Sequence, residues 1–178
     1  DLDETEEIDL DYIRPDLAEV YARQAKLGDD QKPEKVQKRK DRGQRTAREN
    51  ITDLCDDGTF EEYGGLIVAA RQRRNTMEEL IDQTPADGMV AGVGRVNGKW
   101  FKDDRARCMV LSYDYMVLAG TQGKMNHFKK DRMFRLAENW RLPIVFFTEG
   151  GGGRPGDTDG VGVSGINLPT FYLYPKLS

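Results

Sequence analysis

Cysteine and histidine are scarce. The 178-residue chain has two cysteines, Cys55 and Cys108, and a single histidine, His127. A structural zinc site usually takes four Cys or His ligands, so these three cannot build one. A disulfide framework is not expected from two cysteines far apart in the chain, and a reducing cytoplasmic compartment is the expected setting. A Cys–His nucleophile pair using His127 stays open beside the plainer reading of two ordinary buried cysteines. Long apolar runs are also missing: no stretch approaches the ~18 residues of a membrane span. The first residues are acidic, unlike a secretory signal or a transit peptide. Net charge is −4, so bulk electrostatics do not make the whole chain a nucleic-acid binder.

What is present is unevenly spread. The length suits one domain, two at most. Residues 1–30 hold eleven acids against Arg14, Arg23 and Lys26, a local balance of −8. Residues 32–48 hold eight basic residues against Glu34 and Asp41, a balance of +6. Residues 1–15 read as an acidic arm that orders only where it docks. Residues 16–58 read as N-terminal helices that carry the basic stretch. Leu17, Val20, Tyr21, Gln24 and Leu27 keep helical spacing, and Gly28 ends that helix. Pro33 opens a second helix as a first-turn proline. Thr46 and Glu49 form a capping box for a third, which carries Ile51 and Leu54 and ends at Asp57-Gly58.

Residues 59–178 read as the core. Its first part, residues 60–82, mixes apolar and charged runs without a clear period. Residues 88–96 read as a strand, Asn97-Gly98 as a hairpin turn and residues 99–101 as the returning strand. Residues 107–113 read as another strand, 121–140 as a long helix and Ile144–Phe147 as a short buried strand. A long helix between strands calls for a crossover and a partly parallel sheet. The chain begins at Asp1 and closes on the apolar, aromatic stretch 168–178. Both ends suggest a longer polypeptide.

The strongest chemical signal is Glu149 followed by Gly150, Gly151, Gly152, Gly153 and Arg154, directly after a buried strand. Four glycines cost entropy on folding and suit backbone that must approach a ligand. Their consecutive N–H groups can make an anion nest or an oxyanion hole; a flexible linker is the plain alternative. A P-loop is excluded, because no Gly-Lys-Ser/Thr follows at the right spacing. A second signal is the strand-to-helix turn at Ala119, Gly120 and Thr121, with His127, Lys129 and Lys130 on the helix after it. There a structural histidine and solvated lysines are the simpler expectation. The basic stretch is a solvated face, a phosphate site or a docking surface for an acidic protein. Nucleic acid is the weakest of its partners, since no aromatic residues interleave it.

Four segments, in order, resemble the carboxyltransferase component of biotin-dependent acyl-CoA carboxylases of the propionyl-, methylcrotonyl- and acetyl-CoA carboxylase type. Residues 43–51 with Leu54 and 57–61 resemble that family's G-K-x-T-A-R-E-R-I…L-D-x-G-S-F-x-E. Residues 84–98 resemble P-A-D-G-V-V-x-G-x-G-x-V-x-G. Residues 119–123 with His127 and Lys130 resemble G-G-S-x-G-x-x-H-x-x-K, and residues 149–157 resemble D-S-G-G-A-R-I-Q-E. Gln44 and Asn50 depart from basic residues of the family. Gly153 to Gly156 depart from A-R-I-Q and point to a branch related to long-chain or multidomain acyl-CoA carboxylases.

The resemblance implies an α/β, crotonase-like ββα superhelix, incomplete at its C-terminal end. It implies transfer of a carboxyl group from carboxybiotin to the α-carbon of an acyl-CoA, with no metal. This half would bind acyl-CoA through Gly150–Gly153 and Arg154. Arg48 and Arg45 are the candidates for the CoA phosphates, and Gly120, His127 and Lys130 are secondary candidates. No complete catalytic set is expected in this chain, because the family's second oxyanion-hole glycine pair would lie beyond it. Biotin would come from another chain or domain, since no Ala-Met-Lys-Met biotinylation site is present. The implied partners are the biotin carboxyl carrier, the biotin carboxylase and the remaining carboxyltransferase half, in a homo- or hetero-oligomer. A malonyl-type acyl-CoA decarboxylase of the same fold and a non-catalytic assembly module are the alternatives. A crotonase-type hydratase or isomerase fits the capping-box helix and the P-A-D-G segment less well.

Overall fold

The computed structural model describes residues 13–157, 159 and 169–178. The acidic stretch 1–12 lies outside them. Three helices lead: α1 (Pro15–Ala25), α2 (Pro33–Lys40) and α3 (Ala47–Leu54). Then come β1 (Glu61–Glu62), α4 (Met77–Gln83), β2 (Met89–Arg95), α5 (Asp103–Ala106) and β3 (Arg107–Tyr113). The chain continues through α6 (Lys124–Trp140), β4 (Ile144–Phe147) and α7 (Thr170–Leu177).

Among the described residues the strands form one sheet of order β1-β2-β3-β4. β2 and β3 pair antiparallel from Met89↔Tyr113 to Arg95↔Arg107. β4 joins β3 in parallel, from Met109↔Ile144 to Ser112↔Phe147. The long α6 supplies the crossover that a parallel neighbour requires.

Alternation along the strands divides the core in two. Met89, Ala91, Met109, Leu111 and Tyr113 face one side, where Met133, Phe134 and Ala137 of α6 and Leu173 of α7 cover them. Val90, Cys108 and Val110 face the other, under Ala47, Ile51 and Cys55 of the α3 segment. The sheet is therefore sandwiched, and the α3 capping box matters because it starts the helix that covers one face. Thr46 Oγ1 accepts from the Glu49 N–H at 3.1 Å, and Glu49 returns a bond to the Thr46 N–H at 2.8 Å. Each cap of this kind contributes about 1 kcal/mol.

Two expectations change, and a stretch without a clear period is placed. The segment 99–101 forms no strand. The Gly98 N–H docks on Asp56 Oδ2 at 2.7 Å, Trp100 stands exposed, and the chain runs on through α5 before β3 pairs with β2. The turn is held by Asp56 and not by a facing strand. The α3 helix stops at Leu54, with Cys55 as its cap, ahead of Asp57-Gly58. Residues 60–82 hold both β1 and α4, and α4 has its own capping box from Thr76 and Glu79. No described helix is long and apolar enough to cross a membrane.

Candidate functional site

The β4 strand delivers the chain into the glycine loop, where it crosses the turn that precedes α6. Leu118, Ala119 and Gly120 all take positive φ, at 49°, 54° and 61°. For two non-glycine residues this is costly local geometry, held by what surrounds it. Three backbone bonds stitch turn to loop: Gly151 N–H to Ala119 O at 2.9 Å, Gln122 N–H to Gly152 O at 2.8 Å and Arg154 N–H to Gln122 O at 2.8 Å. Contact is closest at Gly120 and Gly150. A methyl group on Gly120 would lie 2.9 Å from Glu149 O; one on Gly150 would lie 2.6 Å from Gly120 O. Among the described residues, the Gly150, Gly152 and Gly153 N–H groups have no acceptor. The crossing thus leaves donors beside a partly strained turn, an arrangement that suits an anionic oxygen.

Arg154 anchors the far end of the loop. It is 5% exposed and donates to the carboxylates of Asp157 and Asp87 and to Thr121 O. Burial lowers the Arg154 pKa, but the hydrogen bonds and charges of Asp157 and Asp87 outweigh it and leave it raised. Asp87 belongs to the Pro85–Gly88 turn and is fully buried; its Oδ2 accepts the Asn126 N–H at 2.8 Å. Asp157 Oδ2 accepts the Lys124 N–H at 2.9 Å. Two buried carboxylates therefore cap the first turn of α6, where the helix dipole favours negative charge. That helix end is engaged by the protein's own acids.

Beneath the crossing lies Tyr113, 3.2 Å from the position of a Gly150 Cβ. Lys130 Nζ donates to Tyr113 OH at 3.1 Å and to Gln122 Oε1 at 2.5 Å. Burial pulls the Lys130 pKa down to about 8 and pushes that of Tyr113 up. Lys129 is buried too, with Nζ on Met89 O, and burial takes it to about 8. The expectation of solvated lysines is therefore corrected: both are buried and end on residues of the central strands, Met89 of β2 and Tyr113 of β3. Burial first, then the Lys130 charge, lowers His127 to about 4; its Nδ1 is buried without a hydrogen-bond partner among the described residues. The Cys–His pair does not form. Cys55 and Cys108 lie on the α3 face of the sheet, whereas α6 covers the opposite face. Burial raises both thiols.

The basic stretch is mostly engaged. Arg48 donates to Glu62 at 2.9 Å and to Leu27 O at 2.7 Å, and Arg45 pairs with Asp53 at 2.9 Å. Lys32 pairs with Asp114 and Lys35 reaches Met116 O, just ahead of the positive-φ turn. Lys40 pairs with Glu49. Lys38 on α2 and Arg42 in the turn after it, both exposed, have no side-chain partner among the described residues. Sequence reasoning missed Arg39, the one buried cation of the stretch, which reaches Glu149 at the mouth of the glycine loop. The available signal was its place three residues after Val36, the helix's single apolar residue.

Comparison with known proteins turns this geometry into a family. A family model described as the carboxyl transferase domain matches residues 38–165. The chain belongs to the carboxyl transferase domain family. It is 32% identical over 155 residues to the propionyl-CoA carboxylase beta chain of Saccharopolyspora erythraea, spanning 87% of this chain and 26% of that one. Among solved structures, a single-chain, multi-domain long-chain acyl-CoA carboxylase superposes with a TM-score of 0.84 at 52% identity, over 93% of this chain and 16% of that one. A transcarboxylase 12S hexamer core with methylmalonyl-coenzyme A bound gives 0.62 at 26% identity, over 94% and 29%. The chain thus spans about a quarter of the curated relative's length. The architecture is the mixed α/β, crotonase-like fold of the carboxyl transferase domain.

Proposed function

We propose that this chain forms the acyl-CoA-binding half of the carboxyltransferase in a biotin-dependent acyl-CoA carboxylase. The observation that carries it is the crossing of Gly150–Gly153 with Ala119–Gly120, which leaves N–H groups unpaired where a thioester oxygen can sit. Removing the α-proton of an acyl-CoA puts negative charge on that oxygen. Fixed N–H donors stabilise that charge without reorganising during the reaction. Lys130, through Tyr113, places a buried positive centre under the same loop. Biotin supplies the carboxyl group when present. The residues here fit the acyl-CoA side of that exchange, and the biotin carrier, the biotin carboxylase and the other carboxyltransferase half come from elsewhere in the polypeptide or from partner chains of an oligomer. The 52% identity with a long-chain carboxylase supports a long-chain acyl group.

For the CoA phosphates, Lys38 and Arg42 are the better placed cations. Lys38 lies on the helix that Arg39 ties to the loop and Arg42 in the turn just after it, and neither would surrender a protein partner. Arg48 and Arg45 would bind phosphate only by releasing Glu62 and Asp53. The test is ATP- and bicarbonate-dependent carboxylation by the full-length protein with its biotin components, comparing a long-chain saturated acyl-CoA with propionyl-CoA. Faster turnover of the long chain is expected. Absence of acyl-CoA carboxylation would overturn the assignment, and loss of a carboxyl group from a malonyl-type CoA ester instead would establish the decarboxylase.

A further inference from the structure

Four glycines in a row have no side chains with which to fix their peptide planes. Donors that stabilise a developing charge must nevertheless be held in place beforehand. The loop is therefore only as rigid as its two ends and the three backbone bonds between them. Arg154 secures the far end. At the near end stands Glu149, whose carbonyl oxygen would lie 2.9 Å from a methyl group on Gly120. Its side chain is 44% exposed and would by itself be free to turn.

Arg39 removes that freedom. Its guanidinium grips both Glu149 carboxylate oxygens, at 3.2 and 2.5 Å. It also donates from Nε to Arg45 O at 2.7 Å and lies 5.6 Å from the centre of the Tyr115 ring. With its side chain 8% exposed and its donors engaged, it is poorly placed to meet a ligand directly. A two-point Arg–carboxylate contact fixes orientation as well as distance. We infer that Arg39 is a positioning residue for the glycine loop: through Glu149 it sets the plane of the peptide that carries the Gly150 N–H. This rests on the carboxyltransferase reading and adds to it a role for a helix that lies 110 residues upstream of the loop.

A positioning residue differs from a phosphate ligand in what it changes. A misaligned oxyanion donor weakens transition-state binding and so lowers kcat, whereas a lost phosphate contact raises KM. The experiment is a double-mutant cycle of Arg39→Gln and Glu149→Gln in the full-length enzyme, with amide hydrogen exchange of the peptide spanning residues 148–154. Each single variant should lower kcat by about 10- to 100-fold with little change in KM, the scale of a misplaced catalytic group. The double variant should be no worse than either single one, because both remove the same contact. Exchange across the loop should speed up in both singles. Additive losses, an effect confined to KM, or unaltered exchange would each overturn the inference. Glu149→Gln keeps the test available if Arg39→Gln does not fold, since Glu149 is half exposed. If the unaltered enzyme carboxylates no acyl-CoA, the carboxyltransferase reading fails, while the exchange measurement still decides whether Arg39 orders the loop.

Discussion

The four loop glycines look alike in the sequence and are unlike in the structure. A methyl group on Gly150 would strike Gly120 O at 2.6 Å, whereas one on Gly153 would meet nothing within 4 Å. Gly152 has open space but a φ of 82°, so a side chain there is strained by the backbone alone. Gly150→Ala should therefore cost about 100-fold in acyl-CoA turnover, the scale of displacing a reacting group by an ångström. Gly153→Ala should cost far less. Steady-state rates of the two variants check this, and an equal loss in both would mean that the crossing does not set the site. His127 makes a second prediction at this scale. Its pKa falls from 6.5 to about 4 in the fold, so the unfolded chain binds more protons between those values. Its contribution to stability is complete above pH 6.5 and is lost as pH falls toward 4. His127→Gln should flatten that part of the acid limb in urea-unfolding experiments on the full-length protein. An unchanged slope between pH 4 and 6.5 would remove His127 from the acid response.

At the scale of elements, local signals with a mechanism were legible. The Thr46/Glu49 box, Pro33 at its helix start, α6 and the β4 strand are all where their residues point. The Thr76-to-Glu79 box was equally legible and would have placed α4. What was not legible depends on partners distant in sequence. Two-residue β1 exists because Glu61 and Glu62 meet Val93 and Gly92. The excursion after Asn97 exists because Asp56 holds it. Gly123 joins both kinds of information. As a turn residue ahead of α6 it reads as ordinary, but a Cβ there would land on the Asp157 carboxylate and the Arg154 guanidinium. Gly123→Ala should break the buried network that caps α6 and anchors the loop, at a cost of about 3 kcal/mol, the scale of disrupting a buried ion pair. Denaturant midpoints with an unchanged m-value would measure it. A loss below about 0.5 kcal/mol, the range of ordinary surface changes, would show that the network relaxes around the methyl group.

At the scale of the whole molecule, net charge misleads and its distribution informs. A chain of charge −4 presents a basic stretch, residues 32–48, in which acids from outside it pair with five of the eight cations. The +6 balance of residues 32–48 was visible in the sequence. Which cations remain available was not, because Glu62, Asp53, Asp114 and Glu149 reach them only through the fold. Lys38 and Arg42 are left facing solvent on either side of Arg39 in the sequence, and solvent-exposed charges act over a Debye length of ~8 Å at physiological salt and ~30 Å at 0.01 M. Acyl-CoA affinity of the full-length protein should therefore weaken as salt rises. Replacing Lys38 and Arg42 together by alanine should raise KM and flatten that dependence with kcat little changed. Arg48→Ala should instead act mainly on stability, because it leaves Glu62 without its partner in a partly buried site. Titration of acyl-CoA across ionic strengths with the three proteins separates these outcomes. If Arg48→Ala alone raises KM and the double variant does not, the phosphates lie on the Arg48 side of α3 and Glu62 gives way to them.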